Sequence, residues 1–192
     1  MAIPMEALRA GDALLVVDVQ NDFCPGGALP IEDGDAVVPI LNQWMEAARE
    51  KGVPISASRD WHPKGHISFA DKGGPWPPHC IQDTHGAAFH PELRLPDEAV
   101  KVTKGTRFDQ DQYSAFDQTG LAREMKRAGL ERVWIGGLAQ DVCVLASALD
   151  AAKAGFEVHL VRDATRPVSP VGGHDAIRQM REAGDIVEGE AE

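Results

Sequence analysis

The sequence predicts an α/β fold: a doubly wound, mainly parallel β-sheet flanked by helices on both faces, in a single domain spanning residues 1–192. Strand-like and helix-like segments alternate along the chain, as they do when crossover helices join parallel strands. The first strand is a continuous apolar run, which is typical of a strand buried on both faces of a parallel sheet. Reactive side chains follow three strands, at the sheet edge where open α/β folds bind ligands.

Apolar periodicity and glycine positions predict the boundaries of the elements. Gly136 and Gly137 are expected to break the fourth strand, residues 162–167 to form a loop, and the acidic tail 187–192 to be frayed. The predicted strands are 13–20, 53–58, 98–103, 132–135 and 157–161, and the predicted helices are 33–51, 121–128, 144–154 and 175–183.

Composition and charge restrict the class of partner. The formal net charge of −11 would repel nucleic acid and anionic membranes, so a small-molecule partner is expected. Residues 1–13 contain no basic segment followed by an apolar one, which favours a cytoplasmic protein. The three cysteines are far apart and form no C-x-x-C pair, so free thiols are expected. The sequence allows a homo-oligomer but does not require one, because apolar faces that cover a sheet and those that form a dimer look alike in sequence.

Cys143 follows the Gly136-Gly137 pair and is expected in the first turn of a helix. Unpaired amides and the helix dipole favour an anion there, so the pKa of the thiol should fall and its thiolate should serve as a nucleophile. The same amides could hold an oxyanion. Taken alone, the segment fits a small buried cysteine as well.

Asp18 and Lys104 also lie at predicted strand ends. Asp18 suits a site residue or a turn cap, and Lys104 suits an electrostatic partner or a solvated charge. Together with Cys143 they supply a nucleophile, its base and a cation. The loop 106–116 is expected to reach this site, with Tyr113 as a candidate substrate contact.

A second cluster contains metal-ligand residue types. Asp60 and His62 are two residues apart, so their side chains project to one side of an extended segment. His79 follows in a loop rich in Pro and Gly. Two imidazoles and a carboxylate suit one divalent ion, Zn²⁺ or Mn²⁺ or Fe²⁺, with positions left open for substrate. His66 is either a fourth ligand or a loop residue, and scattered surface histidines are the alternative for the set.

Five motifs, in this order, carry a family resemblance: VDVQNDFCPGGAL, SRDWHP, WPPHC, KGTRFDQDQYSAF and GGLAQDVCV. They resemble the nicotinamidase/pyrazinamidase branch of the isochorismatase-like cysteine hydrolases over most of the chain. The resemblance implies a metal-dependent amidase of NAD salvage that converts nicotinamide to nicotinic acid and ammonia through a thioester, and that also hydrolyses pyrazinamide.

The resemblance also implies a role for each matching residue. Cys143 would be the nucleophile, Asp18 the acid/base, and Lys104 the cation between them. The Leu138–Ala139 peptide would be cis. The remaining implied roles are metal ligation by Asp60, His62 and His79, an oxyanion hole from the backbone amides of Ala139 and Cys143, and aromatic substrate contacts from Phe23 and Trp76.

The chain departs from the family pattern next to the nucleophile. Gln140 and Val142 stand where relatives often carry Thr and an aromatic or His, which bears on substrate preference. The alternatives are another amidase or a carbamoyl-amide hydrolase of the same family, an isochorismatase, or a catalytically silent scaffold. Retention of both Cys143 and the metal-ligand set favours the metal-dependent amidase.

Overall fold

The computed structural model describes residues 3–189 and contains a six-stranded sheet in the order β3-β2-β1-β4-β5-β6. Every neighbouring pair of these strands is parallel, which confirms the predicted fold class. The strand order reverses between β1 and β4, and a crevice opens at the carboxyl ends of strands at such a switch point. The strands are Asp12–Val17 (β1), Ile55–Asp60 (β2), Val100–Lys104 (β3), Arg132–Leu138 (β4), Glu157–Arg166 (β5) and Ile186–Glu188 (β6).

Helices cover both faces of the sheet, and they are Pro4–Ala7 (α1), Val37–Glu50 (α2), Leu121–Arg127 (α3), Leu145–Lys153 (α4) and Pro170–Glu182 (α5). Leu14 and Val16 point to the face that packs against α2, whereas Leu15 and Val17 point to the face covered by α3, α4 and α5. This alternation within a fully buried strand explains its continuous apolar sequence. No described helix is long and apolar enough to cross a membrane.

The prediction that Gly136 and Gly137 break the fourth strand is wrong, since β4 continues through both to Leu138. A Cβ atom on Gly137 would overlap the carbonyl oxygen of Val17, and one on Gly136 would lie 2.9 Å from a methyl group of Leu41. These glycines therefore allow β4 to pack closely against β1 and α2. The chain leaves the sheet only after them.

The carboxyl-terminal part of the chain is more regular than the sequence predicts. Residues 162–166, expected in a loop, continue β5 and pair again with β4 after a register shift. Helix α5 begins at Pro170 rather than 175, because the Ser169 side chain caps its first turn. Part of the tail expected to be frayed forms β6 beside β5. Residues 190–192 lie outside the described residues.

Candidate active site

The candidate site lies where β3, β2, β1 and β4 end side by side. Lys104 ends β3, Asp60 ends β2, Asp18 follows β1, and Cys143 lies in the turn that follows β4. Because neighbouring parallel strands end at one edge of the sheet, residues far apart in sequence meet there. All four side chains are buried, with at most 5% of each residue exposed.

Lys104 is the centre of this group. Its Nζ atom lies 2.8 Å from Asp18 Oδ2, 2.6 Å from Asp60 Oδ1 and 3.6 Å from Cys143 Sγ. It also donates to the carbonyl oxygen of Gln112 at 3.3 Å. One ammonium thus bridges two carboxylates and contacts the thiol. The structure brings together the nucleophile, acid/base and cation candidates that the sequence singles out.

Burial and the neighbouring charges determine how these groups titrate. Burial raises the pKa of Asp18, and the adjacent Lys104 opposes this only in part. Burial opposes the charge on Lys104, but Asp18 and Asp60 outweigh it and raise the pKa of the amine well above its ordinary range. The result is a firmly charged ammonium beside a carboxylate that binds a proton more readily than usual.

The expectation of a lowered thiol pKa at Cys143 is wrong. Burial raises the pKa of this thiol well above its usual value; Lys104 lowers it, and the carboxylates of Asp18 and Asp60 raise it further. Cys143 also does not lie in the first turn of an α-helix, because Gln140–Val144 forms a wider π-helical turn before α4. The thiol therefore needs a base to deprotonate it.

The backbone before this turn has the predicted conformation. The Leu138–Ala139 peptide bond is cis, as the resemblance implies. Ala139 joins β4 to the π-helical turn and lines the same pocket as Cys143. The carboxylate of Asp141 accepts hydrogen bonds from the backbone amides of Val168 and Ser169, at 2.7 and 3.3 Å. Asp141 thus ties the turn to the segment before α5.

Asp60, His62 and His79 bring ligand atoms within 4.8 Å of one another. The Nδ1 atom of His62 lies 2.8 Å from the carbonyl oxygen of Gly105, and that of His79 lies 2.8 Å from the carbonyl oxygen of Pro77. With Nδ1 engaged by a carbonyl oxygen, the Nε2 atom of each ring is the one left for a metal, and the two Nε2 atoms lie 3.5 and 3.9 Å from Asp60 Oδ2. This donor set fits a divalent metal ion.

His66 is less suited to ligation in this arrangement. Its Nδ1 lies 2.7 Å from the Ser68 hydroxyl and its Nε2 lies 3.0 Å from the carbonyl oxygen of Gln110, so both ring nitrogens have other partners. The ring stacks on His62 with centroids 4.1 Å apart. A ligand atom of Asp111 also lies within 4.8 Å of ligand atoms of both histidines. His66 thus packs against the ring of His62.

A pocket opens above Cys143 and Asp60 and has mostly apolar walls. Phe23 is buried, whereas Trp76 and Tyr113 are partly exposed at the pocket wall. The indole N–H of Trp76 donates to the Tyr113 hydroxyl at 3.1 Å. The lining residues are Phe23, Leu29, Pro30, Ile31, Asp60, Trp76, His79, Asp111, Tyr113, Ala139, Val142, Cys143 and Val168. A flat aromatic ligand in this pocket would lie beside Cys143, Asp60 and His79.

Sequence reasoning missed three polar residues that support the site. Gln20 exchanges two hydrogen bonds of 2.8 Å with the backbone of Asp60. Gln112 accepts from the amide of Gly105 at 2.9 Å, and Ser58 donates to Asp18 at 2.7 Å. Ser58 could have been found from the sequence, because it is a polar residue within a largely apolar predicted strand. Gln20 and Gln112 lie in segments where a polar residue is unremarkable.

The fold is a parallel α/β sheet, and its site places a buried Cys, Asp and Lys cluster beside an Asp and His set suited to a metal. This combination defines a hydrolase-like site. The chain belongs to the isochorismatase family, since the family model described as "Isochorismatase domain" matches residues 12–192.

Curated relatives and solved structures agree with this membership. The chain is 38% identical to the nicotinamidase of Acinetobacter baylyi, over 83% of each chain. It is 35% identical to the nicotinamidase/pyrazinamidase of Mycobacterium tuberculosis, over 89% of this chain and 95% of that protein. A crystal structure of Pyrococcus horikoshii pyrazinamidase in complex with zinc superposes with a TM-score of 0.90 at 47% identity, covering 92% of this chain and 98% of that one.

Proposed function

We propose that this chain is a nicotinamidase, which hydrolyses nicotinamide to nicotinic acid and ammonia and accepts pyrazinamide in the same pocket. The observation that carries the proposal is the Lys104 ammonium, 2.8 Å from Asp18, 2.6 Å from Asp60 and 3.6 Å from the sulfur of Cys143. The proposed nucleophile, base and metal-binding carboxylate are thereby grouped around one ammonium. The relatives named nicotinamidase support the choice of substrate.

The first half-reaction forms a thioester. Asp18 accepts the proton of Cys143 Sγ as the sulfur attacks the carboxamide carbon, and it then gives that proton to the departing ammonia. The raised pKa of Asp18 suits a base that must hold this proton between the two transfers. The raised pKa of the thiol means that deprotonation accompanies attack. The backbone amides of Ala139 and Cys143 would stabilise the oxyanion.

The second half-reaction releases nicotinic acid. Asp18 takes a proton from the water that attacks the thioester carbon, and it returns that proton to the departing sulfur of Cys143. Lys104 stays charged throughout, because its pKa is raised well above its ordinary range. It therefore balances the charge of Asp18 whenever that carboxyl is ionised.

Asp60 Oδ2 and the Nε2 atoms of His62 and His79 would hold the divalent ion, for which Zn²⁺, Mn²⁺ and Fe²⁺ are all chemically suitable. When bound, the ion supplies a Lewis acid for the ring nitrogen of the substrate, which orients the carboxamide. Lys104 engages the other oxygen of Asp60, so Oδ2 remains available to the metal. The zinc bound to the Pyrococcus relative supports this assignment.

Phe23, Trp76 and Tyr113 would bind the pyridine ring by aromatic contact. The net charge of −11 supports a small-molecule substrate and opposes a nucleic-acid or anionic-membrane partner. We accordingly infer a cytoplasmic role in NAD salvage. A homo-oligomer stays a prediction.

The decisive experiment measures ammonia release from nicotinamide by the zinc-loaded protein and by its Cys143→Ala variant. The variant should lose about 10³-fold or more in kcat/KM, because no other group replaces the nucleophile. Cys24→Ala is the matched control, since Cys24 is also buried but does not line the pocket above Cys143. It should retain activity within a few-fold of wild type.

Two results would contradict the proposal. Undiminished activity in Cys143→Ala would remove the nucleophile assignment. If the protein releases no ammonia from nicotinamide after addition of zinc, manganese or iron, nicotinamide is not its substrate. Other carboxamides and carbamoyl amides would then be assayed with the same pair of variants.

A further inference from the structure

Asp18 is held by two donors from two different strands. Lys104 on β3 donates to Oδ2, and the Ser58 hydroxyl on β2 donates to Oδ1 at 2.7 Å. The backbone amide of Asp18 also donates to the carbonyl oxygen of Ser58 at 3.1 Å. Both Asp18 and Ser58 are 0% exposed, so these contacts are enclosed by other protein atoms. The carboxylate is fixed at both of its oxygens.

The two donors differ in what they can do when Asp18 changes its protonation state. The Lys104 ammonium only donates hydrogen bonds, whereas a serine hydroxyl donates one and accepts others. Ser58 can therefore donate to the carboxylate and accept from the carboxylic acid by rotating its hydroxyl. No rearrangement of the strands is needed, since Ser58 and Val17 remain paired in the sheet.

We infer that Ser58 is a positioning residue for the reaction, holding the Asp18 carboxyl group in one orientation towards Cys143 through both proton transfers. This inference rests on the proposed function, because it assigns Asp18 the role of acid/base. Ser58 acts only through Asp18 and touches neither substrate nor metal. Its effect should fall on the chemical step and leave substrate binding nearly unchanged.

The test compares Ser58→Ala, Ser58→Thr and Ser56→Ala in the full-length, zinc-loaded protein. Ser56 is a buried serine on the same strand, but it pairs with Leu15 and lies two residues further from the carboxyl end of β2. Ser58→Ala should lower kcat by about 10–100-fold, with KM within about twofold of wild type, because small errors in orientation slow the chemistry. Ser58→Thr keeps the hydroxyl and should restore most of kcat.

Zinc content and the thermal midpoint are measured on each variant, so that loss of metal or of the fold is separated from loss of positioning. Wild-type kcat in a folded, zinc-loaded Ser58→Ala variant would overturn the inference. An equal loss in Ser56→Ala would also overturn it, because the effect would then belong to strand packing.

A substrate-independent measurement separates this inference from the proposed function. Iodoacetamide labelling of Cys143, followed by peptide mass spectrometry to distinguish it from Cys24 and Cys80, needs only the thiol and its base. Labelling should be slower in Ser58→Ala than in wild type and near normal in Ser58→Thr. If wild type does not hydrolyse nicotinamide, the proposed function fails, and equal labelling rates would then overturn the role of Ser58 separately.

Discussion

Lys104 is a fully enclosed cation whose partners are two buried carboxylates, Asp18 and Asp60. Removing one member of such a group leaves uncompensated charge in the interior. Lys104→Met should therefore abolish activity and lower the free energy of unfolding by about 3–5 kcal/mol. Urea unfolding and the ammonia assay measure the two effects.

Lys101→Met is the control for this prediction, because Lys101 lies on the same strand but is exposed. It should change the free energy of unfolding by no more than about 0.5 kcal/mol. If both variants unfold at the same urea concentration as wild type, the bridging cation does not contribute to stability.

For individual residues, sequence patterns predicted which chemically reactive side chains meet. Asp18, Lys104 and Cys143 lie at or beyond the carboxyl ends of three predicted strands, and parallel strands end at one edge of the sheet. The pKa of Cys143 was not predictable, since it depends on burial and on Asp60, which comes from a fourth strand. Gln20 and Ser58 act through hydrogen bonds across 40 residues, which no local pattern records.

The turn that ends β3 restricts the position of His62, a proposed metal ligand. Gly105 has a φ of +65°, and a Cβ atom there would lie 2.7 Å from Nδ1 of His62. Gly105→Ala should displace the imidazole and lower zinc affinity by about 10-fold or more, as loss of an orienting partner does. Zinc titration monitored by calorimetry measures this.

Gly129 provides the matched control, because its φ is +72° and a Cβ atom there would have no heavy atom of the described residues within 4 Å. Gly129→Ala carries the same backbone penalty of about 1–2 kcal/mol without the contact. Its zinc affinity should match wild type. Equal weakening in both variants would show that backbone strain alone disturbs the site.

Among the strands and helices, those with a strong apolar pattern were predictable, namely the continuous apolar run of β1 and the helical periodicity of α2. The errors occurred where tertiary packing decides the outcome. Gly136 and Gly137 resemble a break in sequence, yet they remain in β4 because two other elements press against them. The short strand β6 forms only because the edge of β5 is available for pairing.

The stability of the folded chain should depend on pH through Asp185, which precedes β6. Burial raises its pKa to about 7, and its Oδ2 atom lacks a hydrogen-bond partner among the described residues. Since the folded pKa exceeds the unfolded value, the folded state is favoured below the unfolded pKa. That advantage is lost as pH rises from about 4 to about 7.

Asp185→Asn removes this titration and should stabilise the protein at pH 8 by about 1–3 kcal/mol, the cost of a buried unsatisfied group. At pH 4 the variant and wild type should unfold at similar urea concentrations. Comparing each variant with wild type at the same pH cancels the titration of the other groups. A stability difference that is the same at pH 4 and pH 8 would refute the assignment.

In the proposed site, the Lys104 bridge would link proton binding to metal binding. Lys104 contacts Asp60 Oδ1 and Asp18 Oδ2, and Asp60 Oδ2 would remain for the ion. If a bound metal changes the proton affinity of Asp18 by some factor, protonation of Asp18 changes the metal affinity by the same factor. A substitution of Asp60 that alters metal binding should therefore also shift the proton affinity of Asp18.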